Sequence, residues 1–193
     1  MAVSTQTQLS RQLLTRGVVV FDAHRTFWDI LLTARYLAHT LQPTALLMPI
    51  AGYALYVPGM KQIVSAWARR YAITWLPVYR RIEYTPVNAL MWGLCLFYPL
   101  SLTPARREQA NHTYLRVVQN AKRQPGHVVL VAPYGSPLLF GGKVKYGARK
   151  LAQQTQIYAS VTRWDTRSWQ FETDILPARV HTLQAVYAKL GIS

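Results

Sequence analysis

Two short runs constrain the fold more than any other part of the chain. Val18-Val19-Val20-Phe21, bounded by Gly17 and Asp22, is apolar at consecutive rather than alternate positions. So is His127-Val128-Val129-Leu130-Val131-Ala132, which runs into Pro133-Tyr134-Gly135-Ser136-Pro137. Alternation marks a strand wetted on one face, whereas a short, uninterrupted β-branched run marks a strand covered on both. Both runs therefore predict buried strands.

Helical and extended segments alternate along the rest of the chain. A helix is expected from Thr26 to about Gln42, with Thr26 as N-cap, Asp29 as its capping-box partner and Pro43 as terminator. Lys61 to Ala72 predicts a second, with Ile63, Val64, Trp67 and Tyr71 on its apolar face, followed by a strand from Ile73 to Tyr79. Residues 105–122 predict an amphipathic helix, stopped by Gln124-Pro125-Gly126. Val144 to Gln153 reads as helix, Gln156 to Val161 and Ser168 to Leu176 as strands, and Val180 to Leu190 as a last helix. No repeat or linker divides residues 1–193. The expected fold is a single α/β domain, a mixed and largely parallel sheet flanked by helices, with the site on loops at the strand C-termini.

Charge narrows the partners. The chain has 22 Lys+Arg against 7 Asp+Glu, net +15, yet only 15% of residues are charged and 51% are hydrophobic. Disordered chains show the opposite balance, so a folded chain is expected. No acid lies between Asp29 and Glu83, an interval holding Arg35, Lys61, Arg69, Arg70, Arg80 and Arg81. Such a surface suits nucleic acid, a membrane surface or a phosphorylated substrate. The lone Cys95 forms no internal disulfide, and no Cys/His cluster has zinc-ligand spacing, so neither a disulfide framework nor a structural metal is expected. Nor is a permanently bound cofactor expected.

Two stretches carry no formal charge, Tyr36 to Met60 and Tyr84 to Ala105. The first holds three prolines, and the apolar centre of the second, about fourteen residues, makes about 21 Å of helix against a hydrocarbon core of about 30 Å. Interfacial insertion or simple burial both fit better than spanning. The N-terminal residues offer no signal-peptide core, so the expected location is cytoplasmic and peripheral to the membrane.

One constellation carries chemistry. A strand ends at Asp22, a turn presents His24, and Asp29 follows at the start of a helix. Five residues along one continuous helix would turn the two side chains apart, whereas a turn before the helix lets them meet. An Asp fixing one ring nitrogen leaves the other as a base near neutral pH. The alternative is a solvated turn histidine beside a helix-capping acid. His39, His112, His127 and His181 have no close acidic partner and read as structural; Cys95 reads as a core residue.

His24-Arg25-Thr26-Phe27-Trp28-Asp29 resembles the H-x-x-x-x-D motif of the phospholipid/glycerol acyltransferases, the group that includes 1-acyl-glycerol-3-phosphate acyltransferase. Ile73 to Arg80 stands where that family has a strand bearing a phosphate-binding arginine, filled here by Arg80 or Arg81. Pro133 to Pro137 stands where it has P-E-G-T-R, and Lys143 to Ala152 resembles the basic segment, Gly-Ala pair and helix that follow. The resemblance covers about residues 17–161. Departures are Tyr134 for Glu, Pro137 for Arg, Ala23 for Asn, and Thr74 and Pro77 for the Gly and Phe of the second motif.

The resemblance implies a glycerolipid acyltransferase-like fold and direct acyl transfer to a lysophospholipid hydroxyl, with acyl-carrier protein or coenzyme A thioester as co-substrate. His24 would be the general base, Asp29 would hold its tautomer, and Arg80 and Arg81 would bind an acceptor phosphate. Gly135 and Ser136 would serve the reacting oxygen, and Lys143 and Lys145 would replace the charge missing at Pro137. The expected partner is an anionic membrane surface. Two other readings stand beside it: a catalytically silent lipid-binding relative, and a basic nucleic-acid-binding protein.

Overall fold

A computed structural model of the chain describes residues 5–26, 28–52, 59–78, 104–135, 141–153 and 156–192. Their strands are β1 (Val18–Asp22), β2 (Ala45–Ala51), β3 (Ile73–Val78), β4 (His127–Val131), β5 (Ile157–Asp165) and β6 (Gln170–Ala178). They form one six-stranded sheet in the order β3-β2-β4-β1-β5-β6. Every neighbouring pair is parallel except β5 and β6, which form an antiparallel hairpin. The helices are α1 (Thr5–Thr15), α2 (Asp29–Leu41), α3 (Met60–Tyr71), α4 (Pro104–Ala121), α5 (Tyr146–Ala152) and α6 (Leu183–Lys189), the last preceded by a 3-10 turn over Val180–Thr182. The mostly parallel α/β sheet between helices is the expected architecture.

Both apolar runs are central. β1 lies between β4 and β5, and alternate residues feed two cores on opposite faces of the sheet. Val18 and Val20 pack with Leu9 and Leu13 of α1 and with Leu31, Ala34 and Leu37 of α2. Val19 and Phe21 pack with Tyr114 and Val118 of α4, Leu151 of α5 and Tyr187 of α6. A strand clad on both faces has no wet side to mark with polar residues, which is why it reads as a continuous apolar run.

Several boundaries differ from expectation. Helix α2 begins at Asp29, with Trp28 at the N-cap position and no side-chain cap. Thr26 does not cap it; its hydroxyl donates to Asp29 instead. Ile63 is exposed, so the apolar face of α3 comprises Val64, Trp67 and Tyr71. Strand β5 runs on to Asp165, four residues beyond the expected Val161. His112 does have an acidic neighbour: its Nε2 lies 3.8 Å from Glu108 one turn earlier, both exposed.

Two elements were not expected. Helix α1 has the apolar pair Leu9 and Leu13 on its inner face, and its Gln12 side chain accepts a hydrogen bond from the Tyr158 hydroxyl at 3.0 Å. Strand β2 comes from the first uncharged stretch, which there takes the simple burial of the two alternatives, as a strand: Leu46, Leu47 and Met48 are buried inside the sheet. Pro49 fits because β4 pairs only with Ala45 to Leu47, so that side of β2 needs no donor at residue 49. The second uncharged stretch lies outside the described residues, apart from its end at Pro104 and Ala105, which open α4. No helix among the described residues is long and apolar enough to cross a membrane.

Candidate functional site

The winding of the chain selects the site. The chain leaves β1 through α2, on the face of Val18 and Val20, and leaves β4 through α5, on the opposite face. Neighbouring parallel strands whose connections depart to opposite faces open a crevice at their carboxyl ends, the habitual ligand position in open α/β sheets. Register puts Phe21 level with Val131 and Asp22 level with Ser160, so His24 and the Pro133 to Gly135 turn lie on the two sides of that crevice.

His24 is half-buried, with Nδ1 shielded from solvent. Its backbone is left-handed, φ 46°, a region that a side chain with a Cβ enters at a cost of about 1–2 kcal/mol. Two carboxylates hold the chain there. Asp22 Oδ2 accepts the His24 N–H at 2.9 Å. Asp29 Oδ2 accepts the backbone N–H groups of Arg25 at 2.9 Å and Thr26 at 2.8 Å, while its Oδ1 accepts the Thr26 hydroxyl at 2.5 Å. Asp29, 8% exposed, thus clamps the turn that carries His24 onto the start of α2.

Asp22 is the member of this group that reasoning from the sequence missed. It is fully buried on the α2 face of the sheet, where its Oδ1 accepts hydroxyl hydrogen bonds from Thr33 at 2.6 Å and Ser160 at 3.1 Å. Thr33 spends its single hydrogen on Asp22, so the 2.7 Å contact between Thr33 and Thr162 has Thr162 as donor, and the 2.8 Å contact between Thr162 and Thr173 has Thr173 as donor. Three threonine hydroxyls in series therefore point inward at one carboxylate, each polarising the next. Burial pushes the Asp22 pKa up to about 6, against the lowering by its hydrogen bonds and with a further push from the charge of Asp29. The available signal was a single acid ending an otherwise wholly apolar strand.

Across the crevice, Gly135 has φ 81°, a conformation that glycine enters at no steric cost. Its N–H donates to Ala132 O at 3.0 Å and closes the turn after β4, so in this arrangement the amide is a turn donor rather than an open oxyanion donor. Tyr134 turns inward. It is buried, its ring centroid is 6.4 Å from that of Tyr187, and burial raises its hydroxyl pKa against a hydrogen bond from Gln184. The Tyr187 hydroxyl donates to Phe21 O at 2.9 Å, so one side chain braces both rims.

The Lys145 N–H donates to Pro133 O at 2.9 Å, which brings the basic segment beside the turn; Lys143 and Lys145 are both exposed. Arg80, Arg81 and Ser136 lie outside the described residues, as does Cys95. The structure thus brings His24, Asp29, Gly135, Lys143 and Lys145 to one edge of the sheet. A groove of about 320 Å³, lined by residues such as Leu76, Pro77, Thr113, Tyr114 and Val117, lies between β3 and α4. It is three strand spacings from β1, about 14 Å. Among the described residues no group of three His, Cys, Asp or Glu side chains gathers to hold a metal. Compared with known proteins, the chain matches no family model, no curated protein and no solved structure.

Proposed function

We propose that this chain is an acyltransferase, working at an anionic membrane surface, that moves an acyl group from a thioester of acyl-carrier protein or coenzyme A to the hydroxyl of a lysophospholipid. The observation that carries the reading is the position of His24, held left-handed just past the carboxyl end of β1, at the sheet edge to which β4 also brings a glycine turn and two exposed lysines. A polar residue held in a costly conformation by two carboxylates is arranged for chemistry more than for stability.

In this reading His24 takes the proton of the acceptor hydroxyl, whose oxygen attacks the thioester carbonyl carbon. The C–O bond forms, the C–S bond breaks, and the imidazolium returns the proton to the departing sulfur. Asp29, whose oxygens take up Arg25 and Thr26, contributes by fixing the turn that carries the ring, in place of the expected hold on its tautomer. Lys143 and Lys145, with Arg80 and Arg81 as further candidates, serve the acceptor phosphate or an acidic carrier, and the groove between β3 and α4 suits an acyl chain.

The test is turnover of labelled acyl-coenzyme A and acyl-carrier protein with 1-acyl-glycerol-3-phosphate. His24→Ala is expected to abolish transfer while the unfolding midpoint holds; full activity in that variant overturns the reading. A second reading, a silent lipid-binding relative, is favoured by one observation: the residue standing in place of the resembled family's loop acid is Tyr134, buried against Tyr187. Lysophospholipid binding without turnover on either thioester would select it.

A further inference from the structure

The hairpin of β5 and β6 leaves the sheet on the same side as His24. Ser160 is level with Asp22, and β5 then continues through Asp165. At about 3.3 Å per residue, these five further residues carry the hairpin tip about 16 Å past the end of β1. The tip is aromatic and exposed: Trp164 and Phe171 face each other across the strands with ring centroids 4.8 Å apart, and Trp169 stands edge-on to Trp164 at 6.2 Å. Trp169 is 76% exposed, Phe171 53% and Trp164 45%.

The rest of that edge has the same character. Trp28 and Ile63 open α2 and α3 and Tyr146 opens α5; all three are exposed, and among the described residues only Leu14 is a large exposed apolar side chain at the opposite edge. Exposed bases surround them, Arg25, Lys61, Lys143, Lys145, Lys150 and, at the tip, Arg167. The hairpin itself adds no positive charge, since Asp165, Glu172 and Asp174 outnumber Arg163 and Arg167, so the attraction to an anionic surface comes from the bases around the crevice. The Asp165 carboxylate accepts the N–H groups of Arg167 and Ser168 in its own turn, Asp174 is paired with Arg163 at 2.7 Å, and Glu172 sits opposite Arg163.

We infer that the β5–β6 hairpin is the docking wedge by which this edge seats on an anionic lipid bilayer. Aromatic side chains gather where one end of a group is apolar and the other wet. A surface-bound element reaches about 5–10 Å into the boundary between headgroups and acyl chains, so a tip about 16 Å long leaves the crevice and its lysines among the headgroups. The three rings pack edge-on into one apolar plug, whereas a nucleic-acid platform presents open ring faces to successive bases. This assignment gives the membrane partner of the proposed reaction a surface and rests on that reading for its purpose, not for its geometry.

The experiment compares vesicle binding of the intact chain and of Trp169→Ala/Phe171→Ala, using phosphatidylcholine alone and phosphatidylcholine with about one third phosphatidylglycerol. Both side chains are exposed, so the variant is expected to fold as the parent does, checked by its unfolding midpoint. The parent is expected to bind anionic vesicles, less at high salt, and the variant at least about tenfold more weakly, as befits the loss of two inserted rings. Leu14→Ala, at the opposite edge, should bind like the parent. Arg167→Glu should weaken binding to anionic vesicles only. Vesicle binding that is equal in parent and double variant, or no binding by the parent, overturns the wedge. So does single-stranded oligonucleotide binding that the double variant loses while vesicles bind neither protein. Transfer to a water-soluble short-chain acceptor separates the two ideas: if the wedge and the chemistry both hold, the double variant keeps that turnover. If the chemistry fails, neither protein shows turnover while the difference in vesicle binding remains.

Discussion

The carboxylate of Asp22 accepts the backbone N–H of His24 at 2.9 Å, so a buried acid fixes the main-chain conformation of the proposed base two residues later. That conformation, φ 46°, favours glycine. His24→Gly is therefore expected to hold or raise stability, by up to about 1 kcal/mol. The same variant loses acyl transfer by about 100-fold or more, because the general base is gone. Thermal unfolding and thioester turnover, measured on one preparation, check both halves.

Asp22 also sets a pH dependence. Its pKa is raised from 3.8 to about 6 by burial, so between those values the folded chain binds more protons than the unfolded one. Stability from this group is full below about pH 4 and is lost as pH rises through about 6, by an amount on the order of 3 kcal/mol. Asp22→Asn removes the titration. Urea unfolding at pH 4 and pH 7 should show the variant's stability, relative to the parent, improving toward pH 7.

Asp29 carries three hydrogen bonds into the turn at Arg25 and Thr26. Asp29→Ala leaves two backbone donors to seek water and is expected to cost about 1–3 kcal/mol. Because the clamped turn aims His24, kcat should fall at least about tenfold with little change in KM for the acceptor. A loss of stability with kcat unchanged would reduce Asp29 to a structural clamp.

Tyr187 joins the two rims, with its hydroxyl on Phe21 O and its ring against Tyr134. Tyr187→Phe keeps the ring and strips the buried carbonyl of this donor, at an expected cost of about 1–3 kcal/mol read from chemical denaturation.

The legibility of each part followed from where its partners lie. β1 and β4 could be read directly because strands buried on both faces have nowhere to place polar residues. β2 could not: Ala45 to Ala51 contains Pro49 and lacks the β-branched run, and its centrality comes from pairing with β3 and β4, which local sequence does not encode. Helix α1 shows only Leu9 and Leu13 on its inner face, too little periodicity to stand out from a polar N-terminal stretch. At the site, the placement of His24 before α2 was legible from the spacing to Asp29. The role of Asp22 was not, because Thr33, Ser160 and Thr162 reach it from residues far along the chain. Nor was the inward turn of Tyr134, which depends on a ring 53 positions later.

The central place of β1 has a consequence for synthesis. Its partners, β4 and β5, begin at His127 and Ile157, more than a hundred residues later. As the chain leaves the ribosome, Val18 to Phe21 must wait, unpaired and apolar, until more than a hundred further residues have been made. Closing loops of that length before any sheet contact can repay them is slow. The strand that carries the crevice is thus the first of the described strands to emerge and among the last to find its place, so a nascent chain stalled before His127 would present Val18 to Phe21 as an exposed sticky segment.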